Sequence, residues 1–115
     1  MEKNILRVFD CKNDKCREII KGSPQILKKL CDECKKHFEK FQEYLELFNI
    51  PYKINPYLVR GLDYYTRTVF EVFTEGEKNA IGAGGRYDEL IQQLGGPKIP
   101  AVGFALGMER IAELY

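Results

Sequence analysis

The chain has almost no excess of either charge. Its 115 residues include 18 Lys and Arg against 17 Asp and Glu, a formal net charge of +1. Proteins that hold nucleic acid or anionic membranes through their bulk charge need a strongly basic surface. The near balance therefore excludes nonspecific binding of this kind, and any polyanion must be held by a local group of residues.

Long apolar runs are also missing. The longest, residues 101–108, is interrupted by glycines and falls far short of the ~20 residues that span a bilayer. Residues 1–4 lack the basic and then apolar order of a secretion signal. We therefore expect no membrane partner and a cytoplasmic location, where cysteines are more often reduced thiols or metal ligands than disulfides.

Two common kinds of catalytic site lack their residues. The only histidine, His37, stands beside two lysines, and one histidine makes neither a catalytic dyad nor a metal cluster. We interpret it as a solvated surface residue. No Gly-x-Ser-x-Gly elbow is present, so nothing indicates a serine hydrolase.

The amino-acid composition of the chain changes near residue 50. Lys, Glu and all four cysteines precede this point, whereas most of the ten glycines and many β-branched and aromatic residues follow it. The length allows one small domain, or a piece of something larger, but not two enzyme domains. We place a boundary within residues 49–56, which divides the chain into segments 1–56 and 57–115.

The first segment is predicted to be helical. Residues 6–9 indicate a short extended or buried stretch, and Ser23 followed by Pro24 predicts a helix start. A break between helices is predicted at residues 30–34. Large apolar side chains at three- and four-residue spacing then predict an amphipathic helix that ends at Asn49; they are Phe38, Phe41, Leu45 and Phe48.

The second segment alternates strand and turn signals. Strands are predicted over residues 66–74, 80–83 and 101–105, and helices over residues 88–94 and from Gly107 onward. Consecutive strands joined by short links favour an antiparallel sheet. The predicted fold class is therefore α+β.

The four cysteines form two pairs. Cys11 and Cys16 are separated by four residues, Cys31 and Cys34 by two, and fourteen residues lie between the pairs. Four thiolates delivered in this way can close a tetrahedral zinc site. Four small, half-buried residues would show the same spacing, so both interpretations stay open. A redox role for Cys31 and Cys34 is the weaker hypothesis, because no βαβ pattern surrounds them.

The most informative stretch is residues 58–71. Arg60 precedes Tyr64 and Tyr65 at the start of a predicted strand. A guanidinium offers planar paired donors and a phenol donates or accepts, which suits a site for a phosphate and a small polar side chain. A surface loop with packed rings fits the same spacing. The glycines of residues 82–85 match neither a Walker loop nor a dinucleotide fingerprint, and by themselves indicate a bend or bulge.

Three segments together resemble the histidyl-tRNA synthetase family. Residues 58–71 resemble its first histidine-recognition signature, residues 84–88 the second, and residues 100–110, which end in Gly-x-Glu-Arg, the third motif of class II synthetases. Their shared order and spacing are far more specific than any one of them. Residues 7–10 and 37–39 resemble the later part of the insertion domain, so the resemblance covers essentially the whole chain.

The resemblance implies a domain organisation. Residues 1–56 correspond to a helical part of the insertion domain with a possible zinc site, and residues 57–115 to the C-terminal part of the catalytic domain, with its antiparallel sheet. No stretch matches the first or second class II motif or an anticodon-binding domain. We therefore expect an interior fragment of a histidine–tRNA ligase, inactive alone, whose parent is a homodimer.

The resemblance also implies an ATP-dependent reaction. The parent would activate histidine with ATP and Mg²⁺ to histidyl-adenylate and then transfer it to tRNA(His). Arg60 would neutralise the charge that builds on the α-phosphate, as the catalytic arginine. Arg110 would reach the γ-phosphate and stack across the adenine.

The histidine side of the site follows from the same comparison. Tyr65 would hydrogen-bond an imidazole nitrogen and Tyr87 would line the same pocket, with Tyr64 as their neighbour. Gly84 and Gly85 would let the ligand approach the strand backbone.

Two other functions fit part of the sequence. The regulatory subunit of ATP phosphoribosyltransferase resembles the synthetase catalytic domain and binds histidine without aminoacylation. Arg60 and Arg110 favour the synthetase, because a histidine sensor needs no clamp for ATP phosphates. In a third interpretation the first fifty-odd residues form a zinc-stabilised interaction module and the rest is scaffold.

Overall fold

The chain divides into two compact units, Met1–Val59 and Arg60–Tyr115. The computed structural model describes residues 5–77 and 79–115. The division falls shortly after the segment in which the sequence places a boundary.

The first unit is helical. A 3-10 helix covers Ile5–Asp10, α1 covers Asp14–Lys21, a second 3-10 helix covers Ile26–Lys29, and α2 covers Asp32–Leu47. The Asn13 side chain caps α1 by accepting a hydrogen bond of 3.0 Å from the Lys15 backbone N–H. Among the described residues, no helix has both the length and the apolar character needed to cross a membrane.

Helix α2 confirms the predicted amphipathic helix. Phe38, Phe41 and Leu45 are half-buried along one side of it. Phe48, which was predicted on the same side, is instead the C-cap and is 70% exposed, so this part of the prediction is wrong. Asn49 follows with a φ of 54°, a left-handed conformation that ends helices. His37 is half-buried as well, so it is less exposed to solvent than the sequence interpretation expected.

Two local predictions in the first unit are wrong. Residues 6–9 lie in a 3-10 helix instead of an extended stretch. Ser23 does not start a helix, because its hydroxyl donates a 2.6 Å hydrogen bond back to the Ile20 carbonyl at the end of α1. Serine can bond the backbone on either side of itself, and here it closes the preceding helix instead of opening the next.

The second unit contains an antiparallel sheet. Its strands are β1 (Val69–Val72), β2 (Gly82–Arg86) and β3 (Val102–Leu106), paired in the order β1-β2-β3. Two short helices, α3 (Leu90–Gln93) and α4 (Met108–Ala112), follow β2 and β3. The predicted α+β class and antiparallel pairing are confirmed.

The strand register gives the sheet two different faces. Glu71 lies opposite Ala83 and Ala83 opposite Ala105, while Gly85 lies opposite Gly103. Directly opposed and alternate residues share a face. On β2 and β3 this face therefore carries only alanine and glycine, and we call it the small-residue face.

The other face is largely apolar and accessible to solvent, with Arg86 as its charged member opposite Val102. Its large apolar side chains range from 36% exposed at Phe70 to 74% exposed at Val102; the others are Val72, Phe104 and Leu106. None of the described apolar side chains is fully buried. The described residues of neither unit therefore enclose a closed hydrophobic core.

Candidate ligand-binding site

The second unit contains a cavity of about 600 Å³. This volume falls within the usual range for small-molecule sites, roughly 300–1,000 Å³. The loop of residues 60–65, strands β2 and β3, and the beginning of α4 form its walls. The polar side chains among its lining residues are Arg60, Tyr64, Tyr65, Tyr87 and Arg110.

Arg60 is held at one wall by an acid from the sheet. Its Nη1 forms an ion pair with Glu71 Oε1, and the two side chains are 28% and 21% exposed. The Arg60 Nε is buried and has no hydrogen-bond partner among the described residues. The ion pair with Glu71 orients the guanidinium. Because a buried donor without an acceptor costs free energy, Arg60 still has donor capacity that a ligand could use.

Three tyrosine rings pack together beside Arg60. Ring centroids are 4.8 Å apart for Tyr64 and Tyr65, 5.5 Å for Tyr64 and Tyr87, and 6.3 Å for Tyr65 and Tyr87. Burial raises the pKa of Tyr64 above its usual value, and its hydrogen bond with Tyr65 raises it further. Tyr64 therefore stays a neutral phenol throughout the physiological pH range, and a neutral phenol can both donate and accept.

Glycines let two of these rings lie against the sheet. A Cβ on Gly85 would come within 2.7 Å of the Thr68 carbonyl oxygen and 2.8 Å of the Tyr65 ring. A Cβ on Gly103 would collide with the Tyr87 hydroxyl. The glycines of the small-residue face therefore let the Tyr65 and Tyr87 side chains pack close to the strand backbone.

Gly84 differs from its neighbour. A Cβ at this position would point toward Phe104 on the other face of the sheet. Neither Gly84 nor Gly85 lines the cavity. Of the predicted pair, Gly85 shapes the site indirectly through Tyr65, and Gly84 serves the packing of β2 against β3.

We expect Gly85→Ala to destabilise the second unit by about 1–3 kcal/mol, because the added methyl group meets backbone and an aromatic ring that cannot both retreat. The matched control is Gly61→Ala, where nothing lies within 4 Å of the added carbon. Urea denaturation of each variant, followed by tyrosine fluorescence, gives the midpoint of its unfolding. Equal midpoints for the two variants would contradict the packing described here.

Arg110 also lines the cavity. It lies in α4, and its Nη1 donates a hydrogen bond to the Ala80 carbonyl. The preceding Gly107 N–H donates to the Ile81 carbonyl at 2.8 Å, which ties the start of α4 to the beginning of β2. Arg110 therefore lines the same cavity as Arg60 although fifty positions separate them in the sequence.

The family model for histidyl-tRNA synthetase matches residues 6–111. The chain belongs to the histidyl-tRNA synthetase family. This confirms the family resemblance carried by the three sequence signatures, and with it the α+β class of the sheet-containing unit.

Relatives and a solved structure agree with this assignment. A histidine–tRNA ligase of Clostridium botulinum (strain Kyoto) is 57% identical over 110 residues, covering 96% of this chain and 26% of that protein. One of Thermodesulfovibrio yellowstonii is 56% identical over 115 residues, covering 98% and 27%. The apo S. aureus histidyl-tRNA synthetase structure matches with a TM-score of 0.69 and 39% identity, covering 80% and 25%. The chain thus spans about a quarter of the length of these synthetases.

Sequence reasoning missed two residues that shape this synthetase-family cavity. Glu71 orients Arg60, and Gly103 makes room for Tyr87. Residues 101, 103 and 105 are Ala, Gly and Ala, and this alternation of small residues was the available signal for a face that accepts a ligand. Glu71 is the last residue of the signature at residues 58–71, but nothing in that pattern indicated that it pairs with Arg60.

The cysteines lie in the other unit and come together only in pairs. Cys11 contacts Cys16, and Cys31 contacts Cys34. Nowhere in the described parts of the chain do three or more His, Cys, Asp or Glu residues group so that they could hold a metal ion. A structural zinc ion takes four ligands, so the arrangement does not fit the predicted four-cysteine zinc site, and we derive no chemistry from zinc.

Proposed function

We propose that this chain forms part of a histidine–tRNA ligase and contributes the surfaces that bind histidine and the phosphates of ATP. The observation that carries the proposal is the meeting of two arginines and three tyrosines, all predicted from the family signatures, on one cavity. The ligase names of the relatives support it. On this proposal the first unit is the later part of the insertion domain and the second is part of the catalytic domain.

The arginines suit the activation step. In this step a carboxylate oxygen of histidine forms a bond to the α-phosphorus of ATP, the bond from that phosphorus to the bridging oxygen breaks, and pyrophosphate leaves. Negative charge spreads over the α-phosphate oxygens as this occurs. Arg60, already oriented by Glu71, would donate to these oxygens. Arg110, which lines the same cavity, would hold the terminal phosphate.

The tyrosines suit a neutral imidazole. Tyr65 would hydrogen-bond one ring nitrogen. Tyr87, which packs against Gly103 of β3, would line the same pocket. Tyr64 stays protonated and supports Tyr65 through their hydrogen bond. Hydrogen bonds of this kind select histidine because an apolar side chain would leave the hydroxyls unpaired.

Magnesium would bind as a complex with ATP and partly neutralise the charge of its phosphates. The described residues provide no cluster of acids that could cage the ion, so its ligands on our proposal are mainly phosphate oxygens and water. The remaining partners, tRNA(His) and a second copy in a homodimer, belong to the proposal for the whole ligase, as does its cytoplasmic location. Nothing found supports the regulatory-subunit alternative.

A chimeric enzyme tests the proposal. In the chimera, this chain replaces the 110 residues of the C. botulinum ligase that align with it. We expect histidine-dependent exchange of pyrophosphate into ATP within about tenfold of the unmodified ligase, and exchange near background with Arg60→Ala. A chimera that melts at the temperature of the unmodified ligase but shows no exchange would overturn the proposal.

The 115-residue polypeptide by itself is expected not to form histidyl-adenylate. The family resemblance assigns a second phosphate arginine and the adenine platform to a motif that none of these residues matches, and losing one such donor costs about 10²–10³ in rate. Pyrophosphate exchange by the purified chain should equal that of its Arg60→Ala variant. Exchange well above that variant would show that this polypeptide is a sufficient catalyst.

A further inference from the structure

Tyr87 lies between two peptide groups that are both fixed by hydrogen bonds. Its own N–H donates to the Ala101 carbonyl at 2.9 Å, and the Arg86 carbonyl before it accepts the Thr66 N–H at 2.9 Å. The next N–H, that of Asp88, donates to the Thr66 hydroxyl oxygen at 3.1 Å. Because the rotamers open to a side chain depend on its backbone, these bonds determine where the Tyr87 ring can lie.

The Asp88 carboxylate holds the same segment through its side chain. Its Oδ1 accepts a 2.6 Å hydrogen bond from the Arg86 Nε, and its Oδ2 forms a longer ion pair of 3.7 Å with the Arg67 Nε. The Arg86 and Asp88 side chains are only 28% and 23% exposed. A hydrogen bond between ionised groups is stronger than a neutral one, and partial burial reduces its screening by salt. The contact therefore links the residues on either side of Tyr87.

This link acts from outside the cavity. Thr66, Arg86 and Asp88 do not line the cavity, whereas Tyr87 does. Tyr87 packs against Gly103, and its ring centroid lies 6.3 Å from that of Tyr65. A shift of the backbone at Tyr87 would therefore change both of these contacts.

We propose that Asp88 is a positioning residue for the histidine pocket, which together with Thr66 fixes the Tyr87 ring without contacting the ligand itself. This inference rests on the proposed function, because the pocket is the one that would receive histidine. Thr66 belongs to the signature at residues 58–71 and Asp88 to the signature at residues 84–88. Their contact thus joins the two segments that supply Tyr65 and Tyr87.

Loss of the Asp88 carboxylate is expected to weaken histidine binding more than it slows the reaction. Arg60 and Arg110 are held by other groups, the Glu71 carboxylate and the Ala80 carbonyl. A displacement of about 1 Å is enough to lose most of the benefit of a well-placed group. We therefore expect Asp88→Ala to raise the KM for histidine by about tenfold and to leave kcat and the KM for ATP within about twofold.

The test measures kcat and both KM values for histidine-dependent pyrophosphate exchange in the chimera described above. Glu89→Ala is the matched control, because it removes the neighbouring carboxylate, which is exposed and makes no capping hydrogen bond at the start of α3. Its KM for histidine should equal that of the unsubstituted chimera. Asp88→Asn should recover most of the loss, since its amide oxygen can still accept from the Arg86 Nε.

A double-mutant cycle separates positioning of Tyr87 from a general loss of structure. If Asp88 acts through the Tyr87 ring, adding Asp88→Ala to Tyr87→Ala should change the KM for histidine by less than about twofold. A further increase of about tenfold in the double variant would overturn the positioning role, because the two effects would then be independent. An unchanged KM in Asp88→Ala alone would overturn it as well.

Thr66→Val tests the same contact if the melting temperature shows that Asp88→Ala does not fold. Valine removes the oxygen that accepts the Asp88 N–H, and the KM for histidine should rise by about threefold or more. Thr68→Val is its control, because Thr68 bonds Arg86 through its carbonyl, which valine keeps. Equal KM values for these two variants would overturn the proposal. An unsubstituted chimera that melts normally but shows no exchange would instead overturn the proposed function, and this inference with it.

Discussion

Arg60→Lys is expected to slow histidyl-adenylate formation in the chimera nearly as much as Arg60→Ala, by about 10²–10³. Lysine keeps the charge but has no planar set of separate donors. The structure adds a reason, because one nitrogen of Arg60 is already engaged by Glu71. A guanidinium keeps that ion pair through one nitrogen while its other nitrogens donate to a phosphate, whereas lysine would have to make both contacts from a single nitrogen.

Single-turnover measurement of adenylate formation, with both substrates saturating, decides this prediction. The matched control is Arg67→Lys, an arginine of the same loop region whose Nε lies 3.7 Å from Asp88 and which does not line the cavity. It should leave the rate within about twofold, as expected for a surface ion pair worth under 1 kcal/mol. If Arg60→Lys kept most of the rate, Arg60 would be acting as a simple point charge.

Tyr65→Phe is expected to weaken histidine binding by about tenfold to a hundredfold, or roughly 1–3 kcal/mol. The substitution removes the hydroxyl and keeps the ring that rests on Gly85, so the pocket keeps its shape. An imidazole nitrogen of the bound histidine then has no partner. The KM for histidine should rise, while the KM for ATP and the melting temperature change little.

Equilibrium binding of histidine to the chimera measures this effect directly. Tyr52→Phe is the matched control, since it deletes a hydroxyl in the other unit that donates to Glu46 at 3.1 Å. Its histidine affinity should equal that of the unsubstituted chimera. Unchanged affinity in Tyr65→Phe as well would rule out recognition by this hydroxyl, and a lowered melting temperature would point to a packing role.

Local patterns predicted the parts of the fold that local forces decide. The spacing of Phe38, Phe41 and Leu45 specifies the buried side of α2 whatever it packs against. Asn49 ends α2 through its own backbone conformation, and Gly95 does the same after α3 with a φ of 90°. The helix predicted from Gly107 onward is α4, with Gly107 as its N-cap in extended backbone.

Strand limits were predicted less well, because a partner strand decides them. Of the predicted strand 66–74, β1 covers only Val69–Val72, although Thr66 and Thr68 also hydrogen-bond the backbone of Arg86. The strand predicted at 80–83 lies at Gly82–Arg86. Ladder hydrogen bonds stop where the neighbouring strand turns away, which no propensity at the residues themselves reports. The role of Ser23 as a helix start was wrongly predicted for a related reason. Its hydroxyl could bond the backbone on either side, and it donates to the Ile20 carbonyl of the preceding helix.

The sequence by itself determined the family, because the signatures specify residue types at set spacings. Only the tertiary structure decided where the residues of those signatures lie relative to one another. Register places Gly85 under Tyr65 and turns Gly84 to the other face, since a shift of one position reverses every side chain of a strand. Pairing across the sheet brings Glu71 to Arg60, and the start of α2 brings Cys31 to Cys34, because both contacts depend on where the backbone places two side chains.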